Sequence, residues 1–263
     1  MWGGFGLSFA GPSGELTSAY SPSLLLDGSY ISSATQTLVF DTSTAPGFEA
    51  GVNFFPAPHV GIQVLVDRTS ADLSGVNGPY DVSLQYVSTP PPFYTPVPVT
   101  LQTSTPWPDT SGSLAQWTFA INAVARVGNP GRVSATFSGG LSNYLLSGSI
   151  QPLAYTTFHL GGHSVLFEDD YRLAVEMERA HAFGWNAGAD VNVPLGGHVA
   201  LLVGYRYLGG PTADVSVHPS EVLNPSEVFF QQTLDEITRQ LALAPVRVSP
   251  SGSRLIVGLK FTP

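Results

Sequence analysis

The chain has 263 residues, of which 11% are charged and 43% hydrophobic, whereas a typical soluble domain carries roughly 25% charged residues. So little charge is poorly suited to water, yet no run of about 18 apolar residues occurs, so a transmembrane helix is excluded. The net charge of −9 argues against a nucleic-acid partner, and the absence of cysteine excludes disulfides, zinc–thiolate sites and thiol catalysis.

The first predicted strand and hairpin lie in the N-terminal quarter. Near the start, apolar and small residues alternate over residues 4–9, which predicts a strand. Residues 48–54 alternate apolar side chains with Glu49 and Asn53, and after a turn at "PAPH" the alternation resumes over residues 60–67. Two alternating segments around a short turn predict a hairpin.

The second hairpin carries the clearest alternation in the chain. Over most of residues 113–127, odd positions from Trp117 to Val127 are apolar, whereas even positions such as Gln116, Thr118, Asn122 and Arg126 are polar; residues 132–146 repeat the pattern after "GNPG". Asn, Pro and Gly favour a tight turn for different conformational reasons. Each segment exceeds the roughly 9–11 residues that a tilted membrane strand needs. The spacing therefore favours membrane-crossing strands.

A third hairpin joins residues 182–194 to residues 199–207, and residues 255–261 complete a set of eight strands. The connections alternate in length. Three are short turns, near residues 56–58, 128–131 and 194–198, and four are long, at residues 11–46, 73–112, 148–180 and 209–253. Such alternation is typical of bacterial outer-membrane barrels, which have short periplasmic turns and longer extracellular loops.

Two of the long connections have a distinct composition. Residues 88–112 are rich in Pro, Thr and Ser, which predicts an extended, weakly ordered tip. The sequence of residues 224–243 predicts a helix, with Asn224 as its N-cap and Pro225 at its first position. We expect this helix to pack onto the barrel rim; a docking helix for a partner is the alternative.

Together these patterns predict one all-β domain over residues 1–263, a closed antiparallel eight-stranded transmembrane β-barrel with four long extracellular loops, one carrying a short helix. A closed barrel satisfies every backbone group within its own sheet, as a membrane requires. The alternative is a soluble secreted β-sandwich, in which the apolar stripes would form the inside.

If the apolar positions face lipid, the alternating polar positions point into the barrel. Eight strands leave an interior that side chains can fill, and buried charges there must pair. We therefore predict a polar network that plugs the barrel; a narrow pore with exchanging ion pairs is the alternative. The predicted interior residues are Glu49, Asp67, Asn122, Arg126, Arg132, Asp190, Arg206 and Lys260.

The aromatic residues of the strands are predicted to face lipid or to lie at the membrane interface, where barrels carry aromatic girdles. Outer-membrane lipid and lipopolysaccharide are the partners that this placement implies. The predicted aromatics are Trp117, Phe119, Phe137, Phe183, Trp185, Tyr205, Tyr207 and Phe261, with Tyr144 as a further anchor near a strand end.

Evidence for catalysis or cofactor binding is weak. The chain has no G-x-S-x-G elbow, H-E-x-x-H motif or phosphate-cradling glycine loop, and His181 is a catalytic candidate by location only. His159, His163 and the acidic run Glu168–Asp170 suggest a calcium site, but an acidic run on a loop is more often simply solvated. We predict no enzyme, no cofactor and no metal site.

The hairpins "GFEAGVNFFPAPHVGIQVLVD", "QWTFAINAVARVGNPGRVSATFSGGL" and "FGWNAGADVNVPLGGHVALLVGYRY", with the closing "RLIVGLKF", resemble the small eight-stranded outer-membrane barrels of the OmpA/OmpW type. The resemblance covers the strands of the barrel only, with no peptidoglycan-binding domain. It implies the bacterial outer membrane, reached after removal of an export signal that this sequence does not contain.

The resemblance leaves two functions open. The first is a structural or surface-interaction role, in which the long acidic loops contact a surface protein, a neighbouring barrel or lipopolysaccharide. The second is a narrow pore or a route for small solutes or small apolar molecules, which the OmpW-type resemblance implies.

Overall fold

A computed structural model of the protein describes residues 1–10, 14–20, 30–42, 44–88, 97–105, 109–129, 131–161, 164–229 and 231–262. Almost all of these residues lie in antiparallel strands, and there is one short helix. In chain order the elements are β1 (Trp2–Ala10), β2 (Gly14–Tyr20), β3 (Tyr30–Thr42), β4 (Ala45–Phe54), β5 (Val60–Asn77), β6 (Tyr80–Ser88), β7 (Val97–Thr105), β8 (Thr110–Val127), β9 (Ser134–Gly161), β10 (Ser164–Gly196), β11 (Val199–Gly209), β12 (Ala213–Val215), β13 (Val217–Val222), α1 (Leu234–Gln240), β14 (Leu241–Leu243), β15 (Val246–Val248) and β16 (Gly252–Phe261).

Eight of the strands close into a ring. The pairings run β1–β4–β5–β8–β9–β10–β11–β16, and β16 pairs back onto β1, with every pair antiparallel. The predicted all-β closed antiparallel barrel of eight strands is therefore confirmed. The alternative of a β-sandwich is wrong, because a single sheet closes on itself.

The three predicted tight turns lie at one end of the barrel, together with the first and last described residues. The Met1 amino group donates to the Phe261 carbonyl at 2.9 Å. Gly131 and Gly197, in two of the turns, have φ angles of 82° and 58°, a region that glycine adopts without strain. This end is called the turn end below, and the opposite end is called the loop end.

The long connections are richer in sheet than the sequence predicted. β9 and β10 have 28 and 33 residues and stay paired as far as Gly161 and Ser164. β2, β3, β6 and β7 add further strands beyond the ring, as do the short strands after β11. The prediction of loops at 148–180 is therefore wrong, because β9 of the second predicted hairpin and β10 of the third continue, paired, well past the barrel. We use the name extension for the part of the sheet that lies beyond the eight-stranded barrel at the loop end. It comprises the loop-end portions of the long strands, β2, β3, β6 and β7, and the short strands after β11.

The proline-rich segment 88–112 also differs from its prediction as an extended tip. Val97–Thr105 forms β7, which pairs with β6, and β8 begins at Thr110. Residues 89–96 and 106–108 lie outside the described residues. No helix in the described part of the chain is long and apolar enough to cross a membrane.

The helix begins later than predicted. Thr233, not Asn224, is the N-cap of α1, and it forms a capping box with Glu236. The Asn224 side chain accepts from the Arg172 amide at 2.7 Å and donates to the Asp170 carbonyl at 2.8 Å. Asn224 therefore ties the preceding segment to β10, because these long-range bonds compete with the capping geometry.

Candidate functional site

The outer face of the barrel changes character along each long strand, as β5 illustrates. From the turn end, the outward residues Ile62 and Val64 are apolar and more than half exposed. Beyond Arg68 the outward residues are Ser70 and Asp72, both exposed. The apolar belt therefore ends near Arg68, and the extension has a polar outer face.

The inner face of the same strand changes in the opposite sense. Gln63 and Asp67 are buried inside the apolar belt, whereas Ala71 and Leu73 are buried inside the extension. The ring is thus polar inside and apolar outside at its turn end, and apolar inside and polar outside at its loop end. The first arrangement suits a bilayer, and the second suits water.

Aromatic side chains lie at the edge of the apolar belt that is nearer the loop end, which is called the upper edge below. Trp117 stacks on Phe119 at 6.3 Å between ring centroids and meets Phe48 edge-on at 5.8 Å. The Arg68 guanidinium lies 5.2 Å from the Trp117 ring, and Trp185 packs 5.3 Å from an outward tyrosine of β11. Outside the half-buried Trp117, the predicted aromatics are 40% to 71% exposed on the outer face: Phe119, Phe137, Phe183, Trp185, Tyr205, Tyr207 and Phe261.

Tyr144 is not a membrane anchor. Its side chain is fully buried inside the ring, and its hydroxyl donates to the carbonyls of Trp185, at 2.9 Å, and Gly209, at 3.1 Å. The prediction is wrong because Tyr144 lies on the inward face of β9, where it separates the polar interior from the apolar one.

An ion-paired layer crosses the barrel inside the belt. Glu49 of β4 lies directly opposite Asp67 of β5, and Arg206 of β11 lies directly opposite Arg254 of β16. Arg206 reaches Glu49 at 2.8 Å and Asp190 at 3.6 Å, and Arg254 pairs with Asp67. All five side chains are buried.

Amides and hydroxyls extend this layer around the ring. The Asn122 amide donates to Gln63 at 2.8 Å, and the Asn186 amide donates to Asn122 at 2.7 Å and to Ser142 at 2.9 Å. Gln63 in turn accepts from Arg206 at 3.4 Å. With the ion pairs, the connected side chains come from β4, β5, β8, β9, β10, β11 and β16. We call this set the polar layer.

Two inward glycines make room for the polar layer. A Cβ at Gly188 would lie 3.1 Å from the Arg206 guanidinium, and a Cβ at Gly204 would collide with the Asp190 carboxylate opposite it. Glycine is needed here because the charged side chains occupy the space that a methyl group would fill.

Three predicted interior residues lie at the turn end, outside the polar layer. Arg126 donates to the Pro58 carbonyl at 2.7 and 3.2 Å, with its guanidinium 4.2 Å from the Phe55 ring. Lys260 is partly buried beside it, and Arg132 is exposed on the turn after β8. The placement of Arg132 in the interior is wrong, because β9 begins only at Ser134.

The sequence prediction omitted Arg254 and Gln63 from the polar layer. Arg254 lies one residue before the predicted last strand, whereas β16 begins at Gly252. Gln63 lies on the same polar face as Asp67, and that position is the signal that places it inside. Extending the alternation of the predicted strand back by one residue places Arg254 inside.

Above the polar layer, an apolar core fills the extension. Burial raises the pKa of the Tyr171 phenol, and this hydroxyl accepts from the Gln232 amide at 3.2 Å. Helix α1 contributes its buried Ile237 to the same core. The buried members are Leu16, Leu38, Leu73, Val82, Leu84, Leu114, Leu146, Ile150, Leu153, Ala154, Tyr155, Tyr171, Leu173, Val175, Met177, Val215, Val228, Ile237, Leu241, Val246 and Val248.

The proposed calcium ligands of residues 159–170 fall partly outside the described residues, which exclude His163 and the side chains of His159 and Glu168. Asp169 accepts from the Phe229 amide and Asp170 from the Thr156 hydroxyl, each at 2.6 Å. The described part of the chain contains no group of three or more ligand-type residues placed to hold a metal.

His181, the catalytic candidate, lies exposed on the outer face. Its imidazole Nδ1 is 3.2 Å from the Asn143 side-chain oxygen. This contact orients the ring on the outside of the barrel, on the face opposite to the polar layer.

The closed ring, its apolar belt and its polar layer define an eight-stranded β-barrel of the outer-membrane type, as the resemblance to OmpA/OmpW-type barrels implied. Two solved proteins align with nearly the whole chain. The outer membrane protein OprG from Pseudomonas aeruginosa is 9% identical, with a TM-score of 0.42 over 99% of this chain and 92% of that one. The outer membrane protease OmpT from Escherichia coli is 8% identical, with a TM-score of 0.44 over 100% and 97%.

No protein-family model and no curated relative matches the sequence. At these identities no residue role or activity carries over from either solved protein. The barrel assignment rests on the ring of strand pairings in this chain.

Proposed function

We propose that the protein is a closed, non-catalytic barrel of the bacterial outer membrane that displays its extension on the cell surface. The observation that carries the proposal is the reversal of inner and outer polarity along the strands. It supports a membrane-embedded belt beneath a water-exposed extension. In this arrangement the turn end faces the periplasm.

The interior supports a structural role over a conducting one. A solute entering from the turn end meets the polar layer, where Arg206 and Arg254 are ion-paired and buried. Beyond it lies the apolar core of the extension, which would have to open before water or ions could pass. Because the polar layer and the apolar core both lie across the path of a solute, the interior favours a closed barrel.

The extension carries an apolar pair that suits contact with a surface protein. Val39 and Val76 lie opposite each other on β3 and β5 and are 57% and 71% exposed. Val76 is sixteen residues from Val60 at the turn end, about 37 Å along the barrel axis for a strand tilted by about 45°. That exceeds the apolar band of about 25 Å, so this pair faces water, where an apolar surface favours a partner.

The upper edge of the belt suits lipopolysaccharide. Arg68 offers a positive charge beside the Trp117 and Phe48 rings, and aromatic residues favour the membrane interface. We infer that lipid phosphate and acyl chains contact this cluster.

The sidedness can be tested by labelling, because the chain has no cysteine. Asp72→Cys lies on the outer face of the extension, and Arg132→Cys lies on an exposed turn. A membrane-impermeant maleimide on intact cells should label Asp72→Cys and should label Arg132→Cys only after the outer membrane is broken. The reverse pattern would overturn the proposed orientation.

Conductance tests the closed interior. The purified chain in a planar bilayer should give no stable unitary current, under conditions in which a known porin conducts. A steady current that changes in an Arg206→Gln variant would instead support the narrow pore, because the ion-paired layer would then line the path.

A further inference from the structure

A water-accessible cleft opens at the turn end of the barrel. Its volume is about 140 Å³, several times the roughly 30 Å³ that one water occupies in the liquid. Two tight turns and the inward faces of β8, β9, β10, β11 and β16 form its walls, with Ser134 and Asn192 among the polar groups.

Positive charge dominates this cleft in a chain whose net charge is −9. Arg126, Arg132 and Lys260 line it, and none of its lining residues is acidic. Among the described residues, neither arginine nor Lys260 forms an ion pair. The surplus of positive charge is therefore local to this mouth.

The cationic groups lie on different elements around one cleft: Arg126 on β8, Arg132 on the turn after it and Lys260 on β16. Arg126 is fixed by the Pro58 carbonyl and the Phe55 ring, and its charge repels that of Lys260. Asp190 attracts Lys260 but is itself paired with Arg206 in the polar layer at 3.6 Å. An anion in the cleft would relieve this repulsion.

We propose that this cleft binds a phosphate group, either free in the periplasm or on a lipid headgroup. Guanidinium groups bind phosphate and carboxylate through paired hydrogen bonds. Donors that line one cleft from β8, the following turn and β16 suit a tetrahedral group, whose oxygens point in several directions, better than a flat carboxylate. The polar layer lies deeper in the barrel than this cleft, so the inference that the site binds a ligand without conducting it rests on the closed barrel proposed above.

The test is isothermal titration calorimetry on the folded full-length chain in a zwitterionic detergent at constant ionic strength. The probes are inorganic phosphate, acetate and a water-soluble short-chain phosphatidylglycerol. We expect saturable binding of a phosphate-bearing probe and weaker binding of acetate. Binding of inorganic phosphate identifies the free ion as a ligand, and binding of the lipid alone identifies the headgroup.

Two variants and a matched control locate the site. Arg132→Gln changes an exposed turn residue and should leave folding intact, and Lys260→Gln removes the second charge. Each should weaken binding by roughly tenfold, the effect of losing one charge-assisted hydrogen bond. Arg247→Gln makes the same change at an exposed arginine on β15 of the extension and should have no effect.

Heat-modifiable migration on gels checks that each variant is folded. Equal affinities in all three variants, binding of acetate as tight as that of phosphate, or no binding of any probe would each overturn the proposal.

Discussion

Arg206 and Arg254 lie directly opposite each other on neighbouring strands, yet each is neutralised by a carboxylate from another part of the ring. Glu49 and Asp67 form the matching like-charge pair on β4 and β5. Like charges directly opposite on paired strands destabilise a sheet. The two pairs are tolerated together because the closed ring brings them face to face across its interior.

This cross-barrel pairing predicts a large cost for removing one partner. Arg206→Met should destabilise the barrel by about 3–5 kcal/mol, because the buried carboxylates of Glu49 and Asp190 both lose the guanidinium that pairs with them. The midpoint of urea unfolding in detergent micelles measures the loss. Arg247→Met, on the exposed surface of the extension, should cost less than about 0.5 kcal/mol.

An Arg206→Met variant as stable as the natural chain would mean that water reaches Glu49 and Asp190. The double variant Arg206→Met with Glu49→Gln then serves as a check. It should recover part of the stability lost in the single variant, because one buried carboxylate is no longer unpaired.

The inward glycines predict a second effect on stability. Gly204→Ala should destabilise by about 1–3 kcal/mol, because its Cβ would collide with the Asp190 carboxylate and displace it from Arg206. Gly139→Ala is the matched control, since a Cβ there meets only the Asn186 carbonyl oxygen at 3.6 Å. Both variants are measured by urea unfolding. Equal unfolding midpoints for the two variants would show that the Asp190 carboxylate can shift to accommodate a methyl group without loss of stability.

The sequence predicted the barrel strands well because each alternates polar and apolar residues with a period of two. The strands of the extension were not predicted from the sequence, and the reason is physical. In β10 the inward positions change from Asp190 and Asn186 to Val175 and Leu173. The reversal of polarity along one strand breaks the pattern that identified a membrane strand, so a continuous strand was divided into strand and loop.

The polar layer was only partly predictable. Inward charges such as Glu49 and Arg206 follow from alternation, but their partners depend on which strands face each other after the ring closes. Arg132 shows the other limit, because a difference of two residues in the start of β9 decides whether its side chain lies inside or on the turn. The capping box of α1 was misplaced because Asn224 is held by distant backbone groups of β10.

The lipid-facing assignment predicts that a charge on the belt is costly only at membrane depth. Ile121 lies midway along the belt portion of β8 and is 65% exposed. Ile121→Arg should therefore destabilise the barrel in lipid vesicles by about 2–4 kcal/mol. Val76→Arg changes an equally exposed β-branched residue of the extension and should be nearly neutral. Equal costs for the two variants, from unfolding titrations in vesicles, would contradict the depth assigned to the belt.

Acidic pH should loosen helix α1 through its capping box. The Thr233 amide and hydroxyl both donate to the Glu236 carboxylate at 2.8 Å, and these bonds lower the pKa of Glu236 below its ordinary value of 4.5. A carboxylate whose pKa is lowered by folding stabilises the folded helix above the unfolded pKa. That contribution is lost as the pH falls through the folded pKa.

Glu236→Gln keeps the side-chain shape but cannot carry the charge, so it isolates this effect. We expect amide hydrogen exchange over residues 233–240 to be faster in Glu236→Gln than in the natural chain at pH 6–7. The ratio of the two rates should approach one at acidic pH, where Glu236 is protonated in both states. Glu221→Gln, on β13, should leave the exchange rate over residues 233–240 equal to that of the natural chain at every pH. A Glu236→Gln ratio that does not change with pH would mean that the cap acts through shape and not through charge.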